Sequence, residues 1–455
     1  MKSAKSGFAK VRRSIVVSLA TALTMAIMVG SSDAQSKSSE FVPFQKFISS
    51  TASASSGDYM SQPDSRVKDP GAFEEMRRYI LTMYQGVQVE HSMVEGVGYF
   101  DCVPVAQQPS VRLLGITQVE PPPAELPPGL DSADQAQPAP DGDASAAYDS
   151  FGNSLVCEQN TVPMRRLTLD ELTHYATLGD FLGRGHEPAQ QGEGSLPPAA
   201  GDRRYATKFQ HVDNFGAVSE ISLWDPPLAS QNVEFSLAQQ WISGGTGDSL
   251  QTIEGGWTKA PRLFDKSQHS VLFIYFTSKN YEKGSGCYNL ECPGFVQEDK
   301  SWKLAGDFPK YSVSGGEQHW FSMEWYFTKG KNWWLLLKRD NENAWKWVGY
   351  YPAKTFNDGQ MSKNADEIEF GGEVYPGSDT WPFMGSGAYP EAGWTKAAYQ
   401  SNIKYTDTER KAQAATLAVN KQSANCYKVG TPAVQNANKW GTYFFFGGPG
   451  GKECK

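Results

Sequence analysis

Apolar positions recur at helical spacing early in the chain and in short blocks later. Phe73, Met76, Ile80, Met83 and Tyr84 share one face of a helix that Asp69-Pro70 opens, an N-cap residue followed by proline in the first turn, and this face runs to about Gly86. Thr168-Leu169-Asp170-Glu171 forms a capping box that opens a second helix carrying Leu172, Tyr175, Leu178 and Leu182. After Tyr205 the pattern changes. Val271–Phe276, Trp320–Phe327, Trp333–Leu337 and Trp347–Tyr351 are β-branched, aromatic or apolar runs, and polar turns at 328–332 and 339–343 separate them. Closely spaced short strands predict an all-β, antiparallel two-sheet β-sandwich over residues 205–455. A small, mostly helical unit precedes it, at 35–185.

Composition refines this division. Five basic residues between Lys2 and Arg13 precede an apolar run from Ile15 to Val29, and Ser32-Asp33-Ala34 follows, so residues 1–34 read as a signal peptide cleaved after Ala34. The run is short for a membrane span, so no stable membrane association is expected once it is removed, and a secreted or periplasmic location follows. Residues 117–147 hold seven prolines among acidic and small residues, which predicts a disordered linker. Residues 186–204, again rich in proline and glycine, read as an exposed connector. From Gln35 to Arg204 there are 12 Lys+Arg and 23 Asp+Glu, against 25 and 26 from Tyr205 onward. The first part is acidic, the second nearly neutral, and no basic patch points to nucleic acid. A monomer is expected.

Two candidate chemistries lie between Gly245 and Trp257. Gly247-Asp248-Ser249-Leu250 matches the block of a serine hydrolase, whose partner would be an Asp-x-x-His. None of the six histidines has aspartate three residues before it, so Ser249 reads as a turn residue. Met384-Gly385-Ser386-Gly387 does not complete a Gly-x-Ser-x-Gly elbow. There is no His-Glu-x-x-His and no Cys/His cluster at zinc spacing, and no metal or cofactor is expected.

Glu254 is the second candidate. In a strand, Leu250, Thr252, Glu254 and Gly256 share one face, with Ile253, Gly255 and Trp257 on the other. Glu367 to Tyr375 mirrors this: Ile368, Phe370, Gly372 and Val374 point one way and Glu373 the other. Each glutamate lies opposite its strand's apolar face beside a Gly-Gly pair, and gaps at those glycines would admit a peptide between the carboxylates. Spacing alone favours two ordinary solvent-facing glutamates.

From Phe215 to about Tyr405 the chain resembles the neprosin family of glutamic endopeptidases. The residues that carry the resemblance are Phe235-Ser236-Leu237-Ala238-Gln239-Gln240-Trp241-Ile242, Thr252-Ile253-Glu254-Gly255-Gly256-Trp257, the block from Cys287 to Gln297, Asn332-Trp333-Trp334-Leu335, Val348-Gly349-Tyr350-Tyr351-Pro352, Gly371-Gly372-Glu373-Val374 and Met384-Gly385-Ser386-Gly387. Asp101-Cys102-Val103, Gln108-Pro109 and Thr161–Arg166 resemble the family's activation segment. The resemblance implies that Glu254 and Glu373 are the catalytic pair on a concave sheet face. Gln239, at the family's glutamine position, is then a candidate donor to the reacting oxygen. It also implies endopeptidase cleavage of protein or peptide substrates after proline. Gly255 and Phe370 depart from the family's usual alanine and tryptophan. Two neighbouring carboxyls ionise in turn, so a singly protonated pair supplies both the base that activates water and the acid that protonates the leaving nitrogen, in acid. The residues leave open which glutamate plays which part.

Six cysteines allow fifteen pairings. Sequence proximity and the resemblance favour Cys287–Cys292 and Cys426–Cys454, leaving Cys102–Cys157 to tie the helical unit across its linker. A proline-directed enzyme would process its own connector, after Pro198 or Pro188. The alternative is cleavage by another protease at Arg203 or Arg204, which resemble a basic processing site. A different class also fits: 13 tryptophans on a sandwich suit a carbohydrate-binding or glycoside-hydrolysing protein, although Glu367-x-Glu369 lacks the Glu-x-Asp-x-Glu pattern of sandwich glucanases.

Overall fold

A computed structural model describes residues 40–96, 98–130, 147–183, 203–227, 235–261, 263–264, 268–329, 331–376, 380–422, 425–435 and 440–454. The expected signal peptide and most of the connector, with Pro188 and Pro198, lie outside these residues. In chain order the N-terminal region holds α1 (Phe44–Ser53), α2 (Ser56–Met60), α3 (Pro70–Met83), β1 (Ser92–Glu95), β2 (Gly98–Pro104), α4 (Pro109–Leu113), β3 (Thr161–Arg165), α5 (Leu169–Thr173) and α6 (Leu178–Leu182). The two helix starts are as the sequence reads. Asp69 accepts a hydrogen bond from the Ala72 amide at 3.0 Å with Pro70 in the first turn, and Thr168 and Glu171 form the capping box. Phe73, Met76, Ile80 and Met83 are buried. The sequence reading missed the antiparallel sheet β1-β2-β3, which the Cys102–Cys157 disulfide staples to the chain before β3. Its strands are four to seven residues long, and β3 contains Pro163, so no period of two is legible.

The C-terminal region holds β4 (Arg204–Asn214), β5 (Gly216–Ser222), β6 (Phe235–Gly244), β7 (Gln251–Lys259), β8 (Val271–Thr277), β9 (Gly286–Tyr288), β10 (Val296–Gln297), β11 (Trp320–Phe327), β12 (Asn332–Arg339), β13 (Lys346–Pro352), β14 (Ala365–Tyr375), β15 (Ala398–Thr406), β16 (Ala412–Ala414), β17 (Val419–Gln422), β18 (Lys428–Val429), β19 (Ala433–Gln435) and β20 (Gly441–Gly447). They form two antiparallel sheets. One runs β10-β13-β12-β11-β5-β15-β20-β18, with β16 and β19 at its side; the other runs β17-β4-β14-β6-β7-β8-β9. Between the layers Ile242, Ile253, Trp257, Phe276, Ile368 and Phe370 meet Met323, Trp325, Phe444 and Phe446, all buried in one core. Gln240 crosses that core to donate from Nε2 to Ser219 Oγ and the Met323 carbonyl, both at 2.8 Å, so its amide nitrogen is satisfied within apolar surroundings. The remaining disulfides, Cys287–Cys292 and Cys426–Cys454, are the expected ones.

Two packing features bear on the site. First, Met93, Phe100, Cys102 and Cys157 of the N-terminal region bury against Phe235, Leu237, Trp241, Phe273, Tyr275 and Tyr288. The N-terminal region thus covers part of the outward face of the seven-stranded sheet. Second, the proline-rich segment differs from the free linker expected. Ile116, Val119, Leu126 and Leu130 pack on Trp334, Leu336 and Tyr350, and the Glu120 amide donates to Tyr350 Oη at 3.0 Å. Prolines hold the chain extended, and the few apolar residues between them are enough to bind it to an aromatic sheet face. Residues 131–146 lie outside the described part.

Candidate active site

The face that β4, β14, β6, β7 and β8 turn away from the core carries the polar residues. Strand pairing fixes the layout. Glu254 of β7 lies opposite Trp241 of β6, which lies opposite Glu369 of β14. Two residues along β6, Gln239 lies between Gly256 and Gly371. Two further along, Leu237 faces Glu373, and Glu373 faces Tyr205 of β4. The period of two therefore puts Glu254, Gln239, Glu369 and Glu373 on one face, with Glu254 and Glu373 on opposite diagonals of Gln239.

Neither glutamate is solvent-facing: Glu254 is 0 % exposed and Glu373 2 %. Glu254 Oε1 accepts hydrogen bonds from Thr252 Oγ1 and Tyr281 Oη, both at 2.8 Å, and its Oε2 accepts from Gln239 Nε2 at 3.0 Å. Glu373 Oε1 accepts from Arg203 Nη1 at 2.6 Å. Gln239 is 0 % exposed, and its Oε1 makes no hydrogen bond among the described residues. Tyr205 and Tyr281 lie in the field of both carboxylates. Burial first, then the nearer glutamate, pushes each phenol above its ordinary range, so both remain O–H donors.

Arg203, Tyr205, Trp241, Thr252, Tyr281, Glu369, Glu373 and Lys421 line a cavity of about 330 Å³ that also reaches Ser243, Leu250, Asn280 and Glu367. Tyr281 reaches it from a loop in which Asn280 and Tyr281 have φ of +37° and +56°. Thr277 Oγ1 holds that strained turn by accepting from the Lys279 and Tyr281 amides at 3.2 and 3.0 Å. Glu369 accepts from Thr207 Oγ1, and burial pushes its carboxyl up to about 7, against the opposing pull of Lys421.

The glycines beside the glutamates act differently from the sequence reading. They do not leave a gap for a peptide. A Cβ on Gly256 would lie 1.9 Å from the Ala238 carbonyl oxygen, and one on Gly371 2.3 Å from that of Ala206, with φ at +142°. Gly255 and Gly372 face inward, where a Cβ would meet Met323 at 3.0 Å and Phe446 at 2.7 Å. One glycine of each pair admits the neighbouring strand's backbone and the other admits the second sheet's side chains.

Residues 232–449 match the Neprosin family model. The chain carries a Neprosin domain. That domain contains Glu254, Gln239 and Glu373, while β4 with Tyr205 precedes the matched residues. Among solved structures, the chain is similar to scytalido-glutamic peptidase with a peptide-based transition-state analogue, at 11 % identity and a TM-score of 0.30, covering 54 % of this chain and 98 % of that one. It is also similar to SCP-B, described as an eqolisin-family peptidase in complex with the tripeptide Ala-Ile-His, at 10 % identity and a TM-score of 0.28 over the same shares.

Ser249 lies in the turn between β6 and β7, where its hydroxyl donates to the Thr246 carbonyl at 2.7 Å and faces solvent. Sequence reasoning missed Arg203, Tyr205, Tyr281 and Glu369 as site residues. Thr252 was legible as sharing the Glu254 face. Arg203 was read as a processing signal, and Tyr281, in a loop without periodicity, gave no signal.

Proposed function

We propose that the protein is a secreted glutamic endopeptidase, activated in acid, that hydrolyses peptide bonds after proline with Glu254 and Glu373 as its general acid/base pair. The observation that supports this most is the placement of two buried carboxylates on one sheet face, either side of Gln239, where Glu373 and the Glu254 donors Thr252 and Tyr281 line a cavity of about 330 Å³. Peptide hydrolysis requires a base to take a proton from water as its oxygen bonds the carbonyl carbon. It also requires an acid to give one to the nitrogen as the C–N bond breaks. A pair that holds one proton between two carboxyls meets both needs. Gln239, with its amide beside Glu254 Oε2, stabilises the oxygen of the tetrahedral species, a role for a preorganised donor. Acid is the working range because carboxyls share a proton there.

The test uses an acid-treated full-length precursor and a proline-containing peptide. Glu254→Gln and Glu373→Gln are each expected to abolish cleavage while leaving circular dichroism and melting unchanged, and Ser249→Ala to cleave as the parent does. Full activity in Glu254→Gln would sink the reading. Cleavage sites in a digested protein, mapped by mass spectrometry, test the preference for proline.

A further inference from the structure

Arg203 immediately precedes β4, and its side chain is built into the site. Its guanidinium pairs with Glu373 at 2.6 Å, with side-chain exposures of 16 % and 2 %. It also lies over the rings of Phe235, at 5.5 Å, and Tyr375, at 5.8 Å, which stack on each other at 5.9 Å. These aromatic faces fix the plane of the guanidinium, and a fixed planar donor fixes the rotation of the carboxylate it binds. The next residue, Arg204, turns to the other side of the strand, 4.6 Å over the Trp381 ring, and pairs in register with Val374. The β4–β14 ladder thus holds Arg204, the residue next to Arg203, and β4 is further paired with β17. This is the anchorage of a sandwich residue, whereas a side chain that merely plugged the site would depart with the segment carrying it.

We propose that Arg203 is retained in the processed enzyme as a positioning residue for Glu373. It is then neither part of a removable connector nor half of a dibasic cleavage site. The inference rests on the reading of Glu373 as catalytic. It requires the mature N-terminus to lie at or before Arg203, as cleavage after Pro198 would leave it and cleavage after Arg203 or Arg204 would not.

The full-length precursor, activated in acid, is to be N-terminally sequenced and assayed beside Arg203→Met, Arg203→Lys and Glu373→Gln. The expected mature chain includes Arg203. Arg203→Met is expected to lose on the order of 100-fold in kcat/KM, chiefly in kcat, the scale of a misplaced reacting group. Arg203→Lys should recover part of kcat at an unchanged KM, which a purely structural role would not do. An active enzyme beginning at Arg204 or Tyr205 overturns the inference. So does Arg203→Met with parental kcat, or with a precursor that is active before processing, the mark of an inhibitory plug. If the Arg203 variants fail to fold, the parent's N-terminus still decides. Glu373→Gln separates the two readings: its activity would remove the catalytic role of Glu373, whereas its inactivity beside a normal Arg203→Met would overturn the Arg203 inference alone.

Discussion

Among the described residues three side chains that donate to Glu254 come from three places: its own strand, the neighbouring strand and a loop. Thr252 is supplied by strand alternation and Gln239 by register, but Tyr281 is supplied by a turn held in left-handed backbone. Tyr281 stacks on Tyr275 with centroids 6.1 Å apart, so its ring is placed independently of its hydroxyl. Tyr281→Phe is therefore expected to leave the ring and the melting temperature in place. It should lower kcat/KM about tenfold, equivalent to ~1.4 kcal/mol for one hydrogen bond to a charged acceptor. Peptide kinetics beside a thermal melt check this, and a loss of melting temperature in step with activity would assign Tyr281 a structural part only.

At the scale of elements, β6 is the axis of the site. It carries Gln239, and its neighbours β7 and β14 carry the glutamates at diagonal positions, so any shift of one strand past another separates the carboxylates. The close approach at Gly256 fixes this register. Gly256→Ala would force its Cβ against the Ala238 carbonyl and Gln239 Cα, at 1.9 and 2.6 Å. The expected result is a stability loss of about 1–3 kcal/mol, as for overpacking, and a fall in kcat with it. Gly316→Ala, whose nearest neighbours lie at 3.4 Å, is the control and should change neither. The spacing of the apolar residues made β8 and β11–β13 legible as strands and α3 and α5 legible at their starts. It could not show β1-β2-β3, whose stability comes from a disulfide and from the aromatic face beneath. Nor could it show the docking of residues 116–130, where four apolar residues gain their meaning only from Trp334 and Tyr350.

Over the whole molecule, the N-terminal region meets the sandwich through contacts that respond to pH in opposite directions. Lys283 of the sandwich pairs with Asp180 at the centre of α6. Burial raises the Asp180 carboxyl, but hydrogen bonds from Lys283 and Thr177 and the Lys283 charge more than offset it, so it titrates below its ordinary range. A carboxyl lowered in the folded state adds stability at neutral pH and loses it as pH falls through that lowered value. Glu298 behaves oppositely. Burial, reinforced by Glu120 of the docked segment, pushes it up to about 7, so protonation on acidification favours that docking. Acid should therefore release α6 while leaving residues 116–130 in place. Hydrogen exchange on the full-length chain, corrected for the intrinsic rate at pH 7 and at about pH 4, checks this. Exchange should rise in 178–182 and not in 116–130, and Asp180→Asn should show the raised exchange already at pH 7. Uniform loosening of both segments would contradict the division.

The sequence by itself determined the two-part layout, the helix starts, the strands rich in aromatic residues, and the strand face on which each of Glu254 and Glu373 stands. These follow from local rules: caps, side-chain period and short loops act over a few residues and are written where they act. Tertiary structure alone decided that both glutamates are buried, that they stand diagonally about Gln239, and that Arg203, Tyr205, Tyr281 and Glu369 join them. It also decided that the glycines admit the neighbouring strand's backbone and the second sheet's side chains. Those facts depend on which strand lies beside which and in what register. Strand pairing joins residues more than a hundred positions apart, as Glu373 is set against Leu237 and Tyr205, and no local pattern in the chain states that choice.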